Sequence, residues 1–170
     1  VPLFLAQKRL RRVAARGGVK GIEIPSTEDA KPLYHKDWHP LWAAAASAGL
    51  PMHFHTIGSN KPDMTAMPPL QARQAHAVYI TGFQMGMSKL LMEIIYGGVL
   101  EAHPSLRLVI AESGIGWIPY ILERMDLEWE DQYKDLTLTM KPSDYWHRQC
   151  KATYQSDTVG LRLIDLLGGD

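Results

Sequence analysis

Four short apolar runs, each set off by segments of helical spacing, place the tightest limit on what this chain can fold into. The runs cover residues 19–24, 51–55, 106–111 and 151–155. A helical pattern over residues 5–15 stops at Gly17-Gly18 and leads into the first run. Residues 38–48 are Ala-rich, with Pro40 in the first turn and Gly49 at the end. Residues 71–98 read as one long helical region broken near Gly82 or Gly86. In residues 117–131, Trp117, Tyr120, Ile121, Arg124, Met125 and Leu127 recur at helical spacing. A looser stretch precedes the fourth run, and residues 158–167 close the chain as a helix before Gly168-Gly169. Strand followed by helix, four times over, predicts parallel strands joined by right-handed crossovers. Strands covered on both faces need no polar alternation, which accounts for the continuous apolar runs.

Two architectures meet that pattern: an open doubly wound sheet, and part of a (β/α)8 barrel, whose full form needs about 250 residues. No Gly-rich phosphate fingerprint follows any strand, which weighs against a dinucleotide-binding sheet. The chain has 170 residues, a zero formal net charge and 46% apolar residues, enough for one domain with a substantial core. No block of like charge points to nucleic acid; Arg9, Arg11 and Arg12 read as a solvated helix face. No apolar run is long enough for a membrane span. The single cysteine, Cys150, excludes an internal disulfide, fits a reducing, cytoplasmic setting, and is expected to pack in a strand.

Chemistry concentrates at two strand ends. Pro51-Met52-His53-Phe54-His55 ends in a histidine, and Leu106 to Ala111 is followed by Glu112. His53 and His55 are two apart and share a side in an extended chain; His53 is expected to be a packed core histidine. Ser113-Gly114-Ile115-Gly116 joins strand to helix, and its backbone N–H groups are suited either to bind a carboxylate or phosphate or simply to let the helix pack. Trp117 is suited to lining a pocket for a planar substrate or to filling core. Residues 57–69 form a long loop, which favours a lid. Asp157 reads as the N-cap of the last helix, with Gln155 and Ser156 near the strand tip. His35 and His39 are expected at exposed positions, His103 in a turn at the far end of the sheet, and His76 mid-helix without a role. Tyr145, Trp146, His147 and Arg148 make an aromatic-basic cluster, expected on a helix surface, with binding of an anionic aromatic compound as its functional alternative.

Several stretches together resemble the amidohydrolase-related (amidohydrolase 2) family, which includes aminocarboxymuconate-semialdehyde decarboxylase and related aromatic-acid decarboxylases. They are Gly21-Ile22-Glu23-Ile24-Pro25, Pro40-Leu41-Trp42, Gly49-Leu50-Pro51-Met52-His53-Phe54-His55, the run from His103 to Gly114, and Gly116-Trp117-Ile118-Pro119-Tyr120 with Glu123-Arg124-Met125-Asp126. The resemblance implies one partial domain over residues 1–170, four β/α units of a (β/α)8 barrel corresponding to its fourth to seventh strands. It implies a divalent metal, zinc with manganese as the alternative. His55 matches the family's metal-binding histidine on the fifth strand. Glu112 departs from the histidine that many members carry on the sixth, which leaves a metal-free state open. The family's first-strand His-x-His and eighth-strand Asp would lie outside the chain, which is therefore expected to be a fragment of a longer enzyme and, alone, to bind metal weakly.

The implied activity is metal-dependent hydrolysis of a small carbonyl or carboxylate compound, or non-oxidative decarboxylation of an aromatic-type acid. His55 and Glu112 would be its catalytic groups, with Trp117, Ser113 and Gly114 on the substrate. The alternatives are a non-catalytic half-barrel that acts by association with another chain, and a small-molecule binding protein on an open sheet. A homodimer is compatible with what family members do.

Overall fold

The computed structural model describes residues 3–25, 31–55 and 61–168. Helix α1 (Leu3–Arg16) precedes strand β1 (Ile22–Pro25). A 3₁₀ turn (Lys36–Trp38) enters α2 (His39–Ala48), and β2 is Met52–His55. Helices α3 (Pro69–Gly82), α4 (Gly86–Tyr96) and the short α5 (Val99–Ala102) lead to β3 (Leu108–Ala111). Next come α6 (Ile118–Asp131), α7 (Pro142–Gln149), β4 (Cys150–Ala152) and α8 (Thr158–Arg162), with a last 3₁₀ turn over Ile164–Leu167.

The four strands form one sheet in the order β1-β2-β3-β4, every pair parallel. A doubly wound sheet reverses its strand order at a switch point, whereas a barrel advances one strand at a time in one direction. The unreversed order therefore selects the barrel: the chain is a run of parallel β/α units from a (β/α)8 fold. Register fixes the faces. Met52, Phe54, Leu108 and Ile110 point to one side and are almost fully buried, in a core shared with α2, α4 and α6. Trp42 of α2 lies against Phe54, ring centroids 6.3 Å apart, and stacks on Trp38 at 5.3 Å. The other face carries one row of register partners, Glu23, His53, Val109 and Lys151, with Glu23 and Lys151 exposed on the two edge strands. His55 and Ala111 sit one layer nearer the C-terminal ends.

Several sequence expectations change in detail. The strands are shorter than the apolar runs, and the fourth begins at Cys150. The break in the long helical region is a 3₁₀ turn over Phe83–Met85, between the two glycines. The looser stretch contains a true helix, α7, and this corrects the surface reading of its aromatic pair. Tyr145 and Trp146 are buried; Tyr145 donates its hydroxyl to Glu101, and Trp146 Nε1 donates to the carbonyl of Leu167. Burial and the Glu101 carboxylate push the Tyr145 phenol up. Arg148 donates to the carbonyl of Leu100 at 3.0 Å, and Gln149 to those of His103 and Leu106. These acceptors precede β3, so the cluster braces the end of the sheet opposite His55. The closing helix gives way to a 3₁₀ turn after Arg162. Cys150 is buried as expected, and burial pushes its thiol up. Part of the expected lid, residues 57–60, lies outside the described residues. Among the described residues no helix is long and apolar enough to cross a membrane.

Truncating Phe54, 1% exposed between sheet and helices, removes both packing area and close contact with Trp42. Phe54→Ala is expected to cost about 3–5 kcal/mol, read as a lowered urea midpoint. Phe4→Ala, at a side chain 66% exposed, is expected to stay within about 0.5 kcal/mol.

Candidate active site

Because all four strands run the same way, their C-terminal ends share one rim, and β2 delivers His55 there opposite Ala111 of β3. Glu112 follows immediately. Its Oε2 lies 2.6 Å from Nε2 of His55, and each side chain keeps about a third of its surface exposed, 33% and 34%. That separation is direct hydrogen-bond contact, slightly shorter than the roughly 2.7–2.9 Å of a charge-assisted N–H···O bond. The two groups thus converge at one partly open mouth, with the imidazole donating from Nε2. Its Nδ1 is buried and has no hydrogen-bond partner among the described residues.

The loop after β3 is held from several directions. Glu112 has φ 55, a left-handed conformation outside glycine. Its N–H donates to Thr153 Oγ1 at 2.9 Å, and its carbonyl accepts from Gln84 Nε2 at 3.0 Å. Ser113 is fully buried; its hydroxyl donates to the carbonyl of Gly114 and its own carbonyl accepts from Trp117 Nε1, both at 2.8 Å.

The amides of this turn, equally suited by sequence to anion binding or to simple helix packing, hold a carboxylate supplied by the chain itself. Asp157 Oδ2 accepts from the N–H groups of both Ile115 and Gly116 at 2.7 Å, and Oδ1 accepts from Gly160 at 2.7 Å. The N-cap read from sequence is therefore also a clasp between the loops after β3 and β4. Gly160 permits the approach, since a Cβ there would meet Ile115 Cγ1 and stand 2.8 Å from Gly116 N. Burial opposes the Asp157 charge, but the N–H bonds from Gly160, Ile115 and Gly116 outweigh it and hold the carboxyl below the usual carboxylate range.

A family model described as amidohydrolase matches residues 5–138. The chain belongs to the amidohydrolase family. Among solved structures, 5-carboxyvanillate decarboxylase from Sphingomonas paucimobilis aligns with TM-score 0.74 and 24% identity, covering 96% of this chain and 49% of its own. An amidohydrolase from Mycobacterium avium subsp. paratuberculosis K-10 aligns at 0.70 and 20%, covering 96% and 42%. Dihydroxybenzoic acid decarboxylase from Polaromonas sp. JS666, solved with manganese and the inhibitor 2-nitroresorcinol, aligns at 0.71 and 17%, covering 98% and 52%. These likenesses establish the barrel fold, and the chain spans about half the length of the structures it matches.

This amidohydrolase segment offers one imidazole and one carboxylate, donors that suit zinc or manganese. Among the described residues no group of three His, Cys, Asp or Glu could hold an ion. The other sequence candidates lie apart from the pair. His53 is half-buried one layer deeper on the same face, its ring running close to Gly21, where a Cβ would stand 2.6 Å from His53 Nε2. His35 caps a turn by accepting from Asp37 N. His39 Nδ1 and His103 Nε2 face each other at 3.3 Å. His76 is exposed on α3, a helix with no buried residue, and Gln155 and Ser156 are exposed after β4. Sequence reading missed Gln84 and Thr153. A threonine just past the tip of the neighbouring strand was a usable signal; nothing local marked Gln84.

The clasp yields a prediction with a pH signature. Asp157→Asn removes the charged acceptor shared by the Ile115 and Gly116 N–H groups and is expected to cost roughly 1–3 kcal/mol at pH 7. The native carboxyl titrates below its unfolded value of about 3.9, so its stabilisation is full above that value and disappears as pH falls through the native one. Urea unfolding of the two proteins should therefore differ at neutral pH and converge as pH falls below the unfolded-state value and through the lower native one.

Proposed function

We propose that this chain supplies the His55–Glu112 side of the active site of a metal-dependent, non-oxidative decarboxylase acting on an aromatic-type acid. The observation that carries this reading is the 2.6 Å approach of His55 Nε2 to Glu112 Oε2 at the C-terminal rim of parallel strands, where barrel enzymes place their chemistry. Decarboxylases of aromatic acids recur among the structures that share the fold, and two hold manganese. Manganese is accordingly weighed equally with zinc; His55 would hold either, with Glu112 as a second ligand or as the proton carrier beside it. When bound, such an ion neutralises and orients a carboxylate together with an adjacent oxygen.

The chain's own groups do the rest. β2 fixes the His55 ring. As proton carrier, the Glu112 carboxyl would deliver a proton to the ring carbon bearing the leaving carboxylate. The C–H bond forms, the C–C bond then breaks, carbon dioxide leaves with no net redox change, and Glu112 regains its proton from water. Trp117 offers a planar surface beside the loop. Ser113 and Gly114 are buried, the Ser113 hydroxyl being committed to the loop itself, so their part would be to hold the loop that carries Glu112. Hydrolysis of an amide or lactone is the second reading, favoured by the amidohydrolase among the structural relatives; Glu112 would then take a proton from the attacking water. Turnover belongs to a completed barrel, whether closed by further chain or by a partner, including a second copy. A reducing, cytoplasmic setting suits the single buried thiol.

A panel of hydroxylated benzoic acids, amides and lactones, assayed with the natively assembled protein after chelation and reloading with manganese or zinc, tests the proposal. Carbon dioxide release is expected, abolished by chelation and restored by metal. His55→Ala and Glu112→Gln should each lower kcat/KM about 10²–10⁴-fold. Hydrolysis without carbon dioxide release would select the second reading. Wild-type rates in both variants would sink either.

A further inference from the structure

β3 does not end as a regular parallel strand ends. Ile110 pairs with Ala152, and Thr153 donates its N–H to the carbonyl of Ile110 at 2.9 Å. Regular continuation would have Glu112 donate its N–H to the carbonyl of Thr153. Ser113 makes that bond instead, at 3.1 Å, so Glu112 is one residue too many for the ladder. It forms a bulge, with φ 55, the device by which strands beside active sites re-aim a side chain. Direction follows. Val109 and Ala111 share the face of His55, and unbroken alternation would send residue 112 to the helix-covered face of Leu108 and Ile110. The extra residue turns the carboxylate back to His55.

A bulge leaves an amide without its ladder partner, and a left-handed glutamate is costly to maintain. Both problems are met by side chains from outside β3. The Thr153 hydroxyl, on the segment after β4, accepts the orphaned N–H at 2.9 Å; Gln84, in the turn between α3 and α4, donates to the Glu112 carbonyl at 3.0 Å. We infer that Thr153 and Gln84 are positioning residues that lock the bulge at Glu112 and so aim its carboxylate at His55. The inference deepens the proposed function and rests on that reading of the His55–Glu112 pair.

The test combines a coupling cycle with a metal-free readout. Manganese affinity is measured by calorimetry for wild type, Thr153→Val, Thr153→Ser, Gln84→Leu and Glu112→Gln, and for Thr153→Val and Gln84→Leu combined with Glu112→Gln. Thr153→Val and Gln84→Leu should each weaken binding about tenfold when Glu112 is present and add nothing when it is glutamine. Thr153→Ser, which keeps the acceptor, should restore wild-type affinity. In parallel, nuclear Overhauser spectra of the metal-free protein should show the strong HN–Hα contact of a positive-φ Glu112 in wild type and Thr153→Ser, lost in the Thr153→Val/Gln84→Leu double variant. Equal losses with and without Glu112, or a left-handed Glu112 that survives the double variant, would overturn the positioning role. Equal affinity of wild type and Glu112→Gln would instead count against the proposed function, and the metal-free spectra would still decide the positioning role.

Discussion

The parallel register between β2 and β3 is the constraint on which the rest of the molecule depends. With His55 opposite Ala111, both strands present Met52, Phe54, Leu108 and Ile110 to the helices and His53 and His55 to the other side. A slip of one residue would exchange those faces, burying imidazoles under α2 and α4 and exposing the core. The apolar contacts that stabilise the sheet therefore also decide where the histidine goes. Helix α2 reinforces this by packing Trp42 directly on Phe54, one residue before His55.

Around that register the rim is assembled from polar contacts between loops. The Asp157 carboxylate spans the loops after β3 and β4, the Gln84 amide reaches in from the helix break, and the Ser113 hydroxyl is consumed inside its own turn. The backbone amides of Ile115 and Gly116 are thereby used for architecture. The positive field of that turn is balanced within the chain, so any anion at the mouth would need its counter-charge elsewhere. Each loop is held by another element, which is how short irregular segments keep two reactive side chains in one geometry.

The parts legible in the sequence were those written in local pattern. Alternating elements, the helix break beside Gly82, the strand-end placement of His55 and Glu112, and the cap at Asp157 all depend on neighbours a few residues away. The parts that were not legible depend on contacts across the chain. Helix α7 is short and mostly polar, and its hold on the protein comes from Tyr145 and Trp146 meeting α5 and the C-terminal turn. The Glu112 bulge is set by Thr153 and Gln84, 41 and 28 residues away. The anion held at Ile115 and Gly116 could be named only once Asp157 was seen beside it, for a turn that binds a carboxylate does not encode whose carboxylate it is.

The row formed by Glu23, His53, Val109 and Lys151 has a consequence for how the cylinder is completed. Its two charged members stand on the outermost strands, where water now solvates them. Sealing the wall would dehydrate both, and an ion stripped of water without a counter-ion is severely penalised. Whatever covers the seams must therefore offer a cationic or hydrogen-bond-donating group beside the glutamate and an acceptor beside the lysine. The pair thus constrains the chemistry of any strand that closes on either edge.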